Sequence, residues 1–248
     1  MSLPADDIRL ADWPVAILAG GLATRLGPIT EKIPKALVMV ADQPFLAHQM
    51  GLLRAAGIRK VVLCVGHRGE TIEEEFGNGT SLGMELSYSF DGPELLGTGG
   101  ALKKALPLLG EKFLVLYGDS YLPIDYAGPV RAFAASRKPA LMTVFRNENR
   151  WGPSNVCFEE GEIKRYEKSN RTPEMKHIDY GLGVLSSKVL SIWPRGKFFD
   201  LAEVYQDLIS KRELAGHEAE RRFYEIGSPH GLAELDSMLR SQRLSVSP

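Results

Sequence analysis

The segment VAILAGGLATRLGPITEKIPKAL, Val15 to Leu37, decides how the rest of the chain is read. It opens on a short unbroken apolar run, VAILAG, that gives way to paired glycines, the pattern of a strand buried on both faces and ending in a tight turn. Such strands belong to parallel sheets covered by helices. Behind the glycines come Arg25 and, after Pro34, Lys35. Glycines after a strand let the backbone come close to a ligand, and their successive N–H groups form a hollow suited to an anion. A bare Gly20-Gly21 pair serves a plain turn equally well. Two cations in the same loop favour phosphate. Neither a Walker-type loop nor the GxGxxG dinucleotide turn is present after this strand.

Outward from this segment the first half keeps a βαβ rhythm. FLAHQMGLLRAAG spaces its apolar residues as a helix and closes on Gly57. KVVLCVG is a strand, ETIEEEFG a helix ending at Gly77, and MELSYSF a further strand. LLGTGGALKKALPLL begins glycine-rich and continues as a helix, and FLVLYGDS is an apolar strand that stops at an acid. Beyond residue 140 the segments ALMTVF, NVCFE, EIKRYEK and DYGLGVLS read as closely spaced strands, followed by two helical stretches. The fold class is therefore α/β, a three-layer Rossmann-like arrangement of a mixed, mostly parallel sheet flanked by helices. Residues 13–240 read as one domain, residues 1–12 as an N-terminal arm and residues 241–248 as a polar tail.

Composition removes several function classes. With 30 basic and 31 acidic residues the net charge is −1, which offers no basic footprint for nucleic acid. No apolar run approaches the ~20 residues that span a bilayer, and the polar, acidic start MSLPADDIRLADWP lacks the build of a secretory signal. A cytoplasmic protein acting on small molecules, with no nucleic-acid or membrane partner, is the expectation. Cys64 and Cys157 fall in apolar runs and read as buried free thiols. The histidines show no zinc-ligand spacing.

Several motifs taken in order carry a resemblance. GGLATRL at 20–26, PKA at 34–36, LGTGGAL at 96–102, GDS at 118–120, YEKSN around Glu167, DYGLGVL at 179–185 and FYEIGSP at 223–229 are similar to the pattern of the sugar 1-phosphate nucleotidyltransferases, or nucleotide-sugar pyrophosphorylases. The likeness spans nearly the whole chain. It is nearest to the small single-domain branch that includes mannose and heptose 1-phosphate guanylyltransferases, and it implies their nucleotide-diphospho-sugar transferase fold.

The resemblance implies that an oxygen of a sugar 1-phosphate attacks the α-phosphorus of a nucleoside triphosphate and pyrophosphate leaves. Two anions must meet, so cations and positioning carry the catalysis. On this pattern Arg25, Lys35 and Asp119 are catalytic. Leu18, Ala19, Gly20, Gly21, Arg25, Lys35, Gly97 and Thr98 bind the nucleotide, with Arg25 on the leaving phosphates, Lys35 near the α-phosphate, and Gly97 and Thr98 along base and ribose. Glu167, Lys168, Asp179, Tyr180 and Gly181 take the sugar phosphate, beneath a loop at RWGPSN. Asp119, at the C-terminal edge of its strand where open α/β sheets place ligands, and Glu225 hold Mg²⁺.

The chain departs from the family at Ala23 for glycine, Ala36 for proline and Glu225 for aspartate. None of these deletes a cation. GTP with a mannose- or heptose-type sugar is the leading substrate pair; uridylyl, thymidylyl and cytidylyl transfer stay open, as does a non-catalytic nucleotide-sugar-binding regulatory subunit. The oligomeric state is open too, a homodimer included.

Overall fold

The computed structural model describes residues 8–21 and 33–246. The apolar runs become strands and the periodic segments helices. Strand β1 (Val15–Leu18) is followed by a 3-10 turn (Lys35–Leu37), the short β2 (Met39–Val40) and β3 (Gln43–Pro44), and helix α1 (Phe45–Ala55). Then come β4 (Lys60–Val65), α2 (Gly69–Phe76), β5 (Glu85–Phe90), α3 (Gly97–Leu109), β6 (Lys112–Tyr117), β7 (Ser120–Tyr121) and α4 (Ala127–Ser136). The second half holds β8 (Ala140–Arg146), β9 (Val156–Glu159), β10 (Glu162–Tyr166), β11 (His177–Ser186), α5 (Lys188–Ser191), α6 (Leu201–Ser210), β12 (Leu214–Glu218), β13 (Tyr224–Glu225) and α7 (Pro229–Val246). Gly57 and Gly77 end their helices in positive φ, +90° and +52°, as the sequence predicts.

The described strands build a nine-stranded sheet in the order β5-β4-β1-β6-β11-β8-β12-β10-β9. The first four run parallel; β11 then enters antiparallel to both β6 and β8. Period-two alternation makes the three layers. Val15 and Ile17 of β1 face one core with Leu46, Leu53, Ile72 and Val130, from helices α1, α2 and α4. Ala16 faces the other with Leu102, Ala105, Val204 and Leu208, from α3 and α6. The mixed, mostly parallel sheet flanked by helices is the architecture expected.

Some elements depart from the sequence reading. Helix α4 and strand β12 are additional. The sequence LAGHE of β12 carries little strand character, yet it lies parallel to β8 inside the sheet. Gly216 makes this fit, since a Cβ there would stand 2.5 Å from the Phe158 ring. Helix α7 continues through Val246, past residue 240. Leu10, assigned to the N-terminal arm, is buried in the main core. Residues 1–7 lie outside the described residues. No described helix is long and apolar enough to cross a membrane.

Candidate active site

The site is built where the parallel strands end. Beyond β1, Ala19 donates its N–H to the Cys64 carbonyl of β4 (2.9 Å), and Gly118, just past β6, donates to the Leu18 carbonyl (3.0 Å). These bonds hold three strand ends together. The approach at Gly118 requires glycine, because a Cβ would lie 2.5 Å from the Leu18 oxygen. The cavity thus formed measures about 250 Å³. Leu18, Ala19, Gly20, Gly21, Lys35, Gly97, Thr98 and Asp119 all line it. Every nucleotide-binding candidate that falls among the described residues is therefore in one place. Arg25, and with it Ala23, lies outside the described residues.

Lys35 reaches the cavity from its 3-10 turn, anchored by Ala36, which is 2% exposed and packs into the main core. Alanine in place of the second proline keeps the turn closed, with Leu37 N–H on the Pro34 carbonyl at 2.9 Å. The Lys35 ammonium lies 3.0 Å from Asp119 Oδ2, in an ion pair that is mostly shielded on the lysine side. Gln49, fully buried on α1, holds the Asp119 loop from below by donating to the carbonyls of Tyr117 (2.9 Å) and Ser120 (2.8 Å).

Asp119 and Glu225 are brought together by a two-stranded pairing of β7 with β13, in which Glu225 stands opposite Ser120 and the Ile226 N–H donates to the Asp119 carbonyl at 3.0 Å. A Cβ on Gly227 would lie 2.3 Å from Glu225 Oε2 and 3.6 Å from Asp119 Oδ2, so both carboxylates border the same small space. Glu225 Oε2 accepts from the Gly227 N–H and Oε1 from the Ser228 hydroxyl. Glu225 also lines an adjoining cavity of about 270 Å³ beside Arg150, Trp151 and Arg222. Two hard carboxylates on one edge suit Mg²⁺, which takes few protein ligands and completes its shell with phosphate oxygens. Among the described residues no cluster of three His, Cys, Asp or Glu could hold a metal unaided.

The acceptor candidates divide. Half-buried Asp179 accepts from the hydroxyls of Tyr166 (3.1 Å) and Tyr117 (3.4 Å) and from the Gly181 N–H (3.0 Å). Burial pushes its carboxyl above the usual range, and these donors together with Lys168 offset only part of that. Gly181 sits at φ +88° against Ser120, where a Cβ would meet the hydroxyl at 2.9 Å. This joins the turn after Asp179 to the Asp119 loop. Lys168 pairs with Asp200 at 2.9 Å. Glu167 is not gathered with these groups; its nearest ionic partner is Arg165 at 3.9 Å. Tyr180 departs from its neighbours: alternation along β11 turns its ring into the core, 1% exposed, 6.0 Å from the Phe223 ring. Its side chain is packing rather than a surface contact. At the RWGPSN loop, Trp151 carries the Arg222 guanidinium at 4.6 Å over its ring, and Arg222 forks onto Glu234.

Sequence reasoning missed Asp91, Phe198 and Asp200. Asp91 lines the strand-end cavity and is buried. It accepts the Leu96 N–H at 3.1 Å, and burial raises its carboxyl above the ordinary value against the opposing pull of that bond and of Lys104. The signal was present, since an acid directly after the strand MELSYSF repeats the pattern of Asp119 after FLVLYG. Phe198 is 70% exposed at the cavity wall and gave no signal. Asp200 is the N-cap of α6, with Glu203 completing a capping box, which D-x-x-E announces. Cys64 also lines the cavity, and burial pushes its thiol up to about 12, leaving it unreactive.

Residues 15–217 match the family model described as Nucleotidyl transferase. The chain is 31% identical over 214 residues to the D-glycero-alpha-D-manno-heptose 1-phosphate guanylyltransferase of Campylobacter jejuni, a match covering 86% of this chain and 94% of that protein. It is 31% identical over 238 residues to the mannose-1-phosphate guanylyltransferase catalytic subunit beta of Drosophila melanogaster, covering 94% of this chain and 64% of that protein. The crystal structure of HddC from Yersinia pseudotuberculosis complexed with GMP-PN shares the fold, with a TM-score of 0.75 at 24% identity over 92% of this chain and 99% of that one. The strand-end cavity and these matches lead to one conclusion: the chain belongs to the nucleotidyl transferase family, among the sugar 1-phosphate nucleotidyltransferases.

Proposed function

We propose that the protein transfers a guanosine monophosphate unit from GTP to a sugar 1-phosphate of the mannose or heptose type, releasing pyrophosphate. The observation that carries the choice of base is the buried Asp91 carboxylate in the nucleotide cavity, beside the turn at Leu95–Thr98. A carboxylate only accepts hydrogen bonds. Guanine offers two adjacent donors on its Watson–Crick edge, N1–H and the N2 amino group. Uracil, thymine, cytosine and adenine each set a donor beside an acceptor that a carboxylate repels. The mannose or heptose acceptor is supported by the likeness to the Campylobacter and Drosophila enzymes.

In this reading the N–H groups after β1 receive the triphosphate and Lys35 neutralises charge at the α-phosphate, where the acceptor oxygen attacks in line. Asp119 pairs with Lys35 and aims it. Lys168 meets the acceptor phosphate and Asp179 the sugar hydroxyls. Asp119 and Glu225 would hold Mg²⁺, which supplies further neutralisation of the phosphates when bound.

A pyrophosphate-release assay over GTP, UTP, dTTP, CTP and ATP with a panel of sugar 1-phosphates tests the proposal. GTP with mannose or heptose 1-phosphate should react fastest. Asp91→Asn should cut the preference for GTP over UTP about tenfold or more, the worth of one paired base edge. Faster turnover with UTP would overturn the guanylyl reading, and nucleotide binding without release would favour a regulatory subunit.

A further inference from the structure

Lys168 is already engaged: its ammonium stands 2.9 Å from each carboxylate oxygen of Asp200. The same carboxylate accepts the Thr98 hydroxyl at 3.0 Å and the Ala202 N–H at 2.9 Å, and the Thr98 oxygen accepts in turn from the Leu201 N–H at 2.8 Å. Backbone bonds double the joint, with the Gly99 N–H on the Phe199 carbonyl (3.0 Å) and the Phe199 N–H on the Leu96 carbonyl (3.1 Å). The N-termini of α3 and α6 are thereby fastened to each other, and Lys168 hangs from the fastening. Thr98, placed along the ribose by resemblance, spends its hydroxyl on this joint.

Capping does not explain the charge. Asparagine or serine caps a helix about as well as aspartate. A partly exposed ion pair also adds little to stability. What the negative charge does uniquely is hold a flexible lysine, one of the side chains that lose most rotamer freedom when fixed.

We propose that Asp200 is a positioning residue that sets the Lys168 ammonium beside the nucleotide turn, ready for the acceptor phosphate. This rests on the reading of Lys168 as the contact to that phosphate. The Ala202 N–H and the Thr98 hydroxyl both bond Asp200 Oδ1, which among the described residues leaves Oδ2 to the lysine alone. The phosphate then arrives at an ammonium whose direction is already chosen and whose distance from the Gly97–Thr98 turn is set.

The test is a steady-state comparison of Lys168→Ala, Asp200→Asn and the double variant with the triphosphate that turns over fastest. Asparagine keeps the cap and the acceptor for Thr98 but loses the ion pair. Each single variant should raise KM for the sugar 1-phosphate about tenfold, with KM for the triphosphate within about twofold and an unchanged Tm. The double variant should be no worse than Lys168→Ala, because Asp200 acts through the lysine. An unchanged sugar-phosphate KM in Asp200→Asn beside a raised one in Lys168→Ala overturns the proposal. Additive effects, or both KM values rising together with a lowered Tm, overturn it as well. An unchanged KM in Lys168→Ala removes the underlying reading of the lysine, and the proposal with it.

Discussion

The two halves of the sheet hold their functional groups in opposite ways. In the parallel half, β5-β4-β1-β6, the cavity forms where Gly20, Gly66 and Gly118 let strand ends touch, and among the described residues that line it Lys35 and Asp119 bring opposite charges into contact. In the mixed half the groups are strung together by side chains, Tyr166 and Tyr117 on Asp179, and Lys168 and Thr98 on Asp200. Parallel strands all end on one side, so a pocket arises from topology. In the other half β11 and β10 run against their neighbours while β8 and β12 lie parallel, so the row of strand ends is interrupted. Here residues from β11 and from the loops after β10 and before α6 must be tied one by one.

The comparison breaks hardest at Lys35 and Asp119. Lys35→Ala or Asp119→Ala should lower turnover by about 10²–10³ or more, by analogy with loss of one oxyanion donor, while changing Tm by only a few degrees. The assay is pyrophosphate release alongside thermal denaturation; near-normal turnover in either variant would remove that residue from the chemistry.

A smaller effect is expected at Gly97, where backbone carries the pocket. It sits at φ +72°, and a Cβ would stand 2.6 Å from the Phe199 oxygen. Gly110 sits at φ +74° with nothing within 4 Å of its Cβ position. Gly110→Ala should cost about 1–3 kcal/mol of stability through backbone strain alone, since its φ of 74° and ψ of −155° are open essentially to glycine. Gly97→Ala should cost distinctly more and also raise KM for the triphosphate. Equal costs in chemical denaturation would show that the α3–α6 joint yields freely.

The smallest effect belongs to the mixed half. Asp179 has its carboxyl raised by burial, so the fold favours its neutral form. Its contribution to stability is full below the unfolded-state value, about 3.9, and is lost as pH rises through the higher folded value. Asp179→Asn escapes that loss. The Tm of the variant relative to wild type should therefore improve by a few degrees between pH 4 and pH 7, read from melting curves across that range. A flat difference would mean that the tyrosine hydroxyls and the Gly181 N–H fully compensate the charge.

How much of this was legible follows the same division. VAIL, KVVLCV and FLVLY announce themselves because both faces are covered, and Gly20, Lys35, Gly97 and Asp119 converge because each follows such a strand or precedes its helix. LAGHE was not legible as β12, since its place depends on a glycine slotting under Phe158. Tyr180 and Asp179 are adjacent in sequence yet belong to opposite faces, and only the pairing of β11 decides which. The partnership of Lys168 with Asp200 crosses 32 positions and leaves no trace in either local motif. Gln49 looks like a polar interruption of an apolar helix face until its amide is seen to hold two carbonyls beside Asp119.

The third, smallest core joins the segment after Lys35 to helix α7 and the residues just before it. Val38, Val40, Ala41 and Phe45 pack with Ile226, Leu235 and Leu239, while the Ala41 N–H donates to Asp236 at 2.6 Å and Arg240 forks onto Asp42. On the ribosome this has a consequence in time. The parallel strands can assemble while translation is still under way, but the segment that follows Lys35 gains its cover only when helix α7 leaves the exit tunnel. The packing of the Val38–Phe45 segment should then form as a late step, after Leu239 has emerged, instead of growing with the length already synthesised.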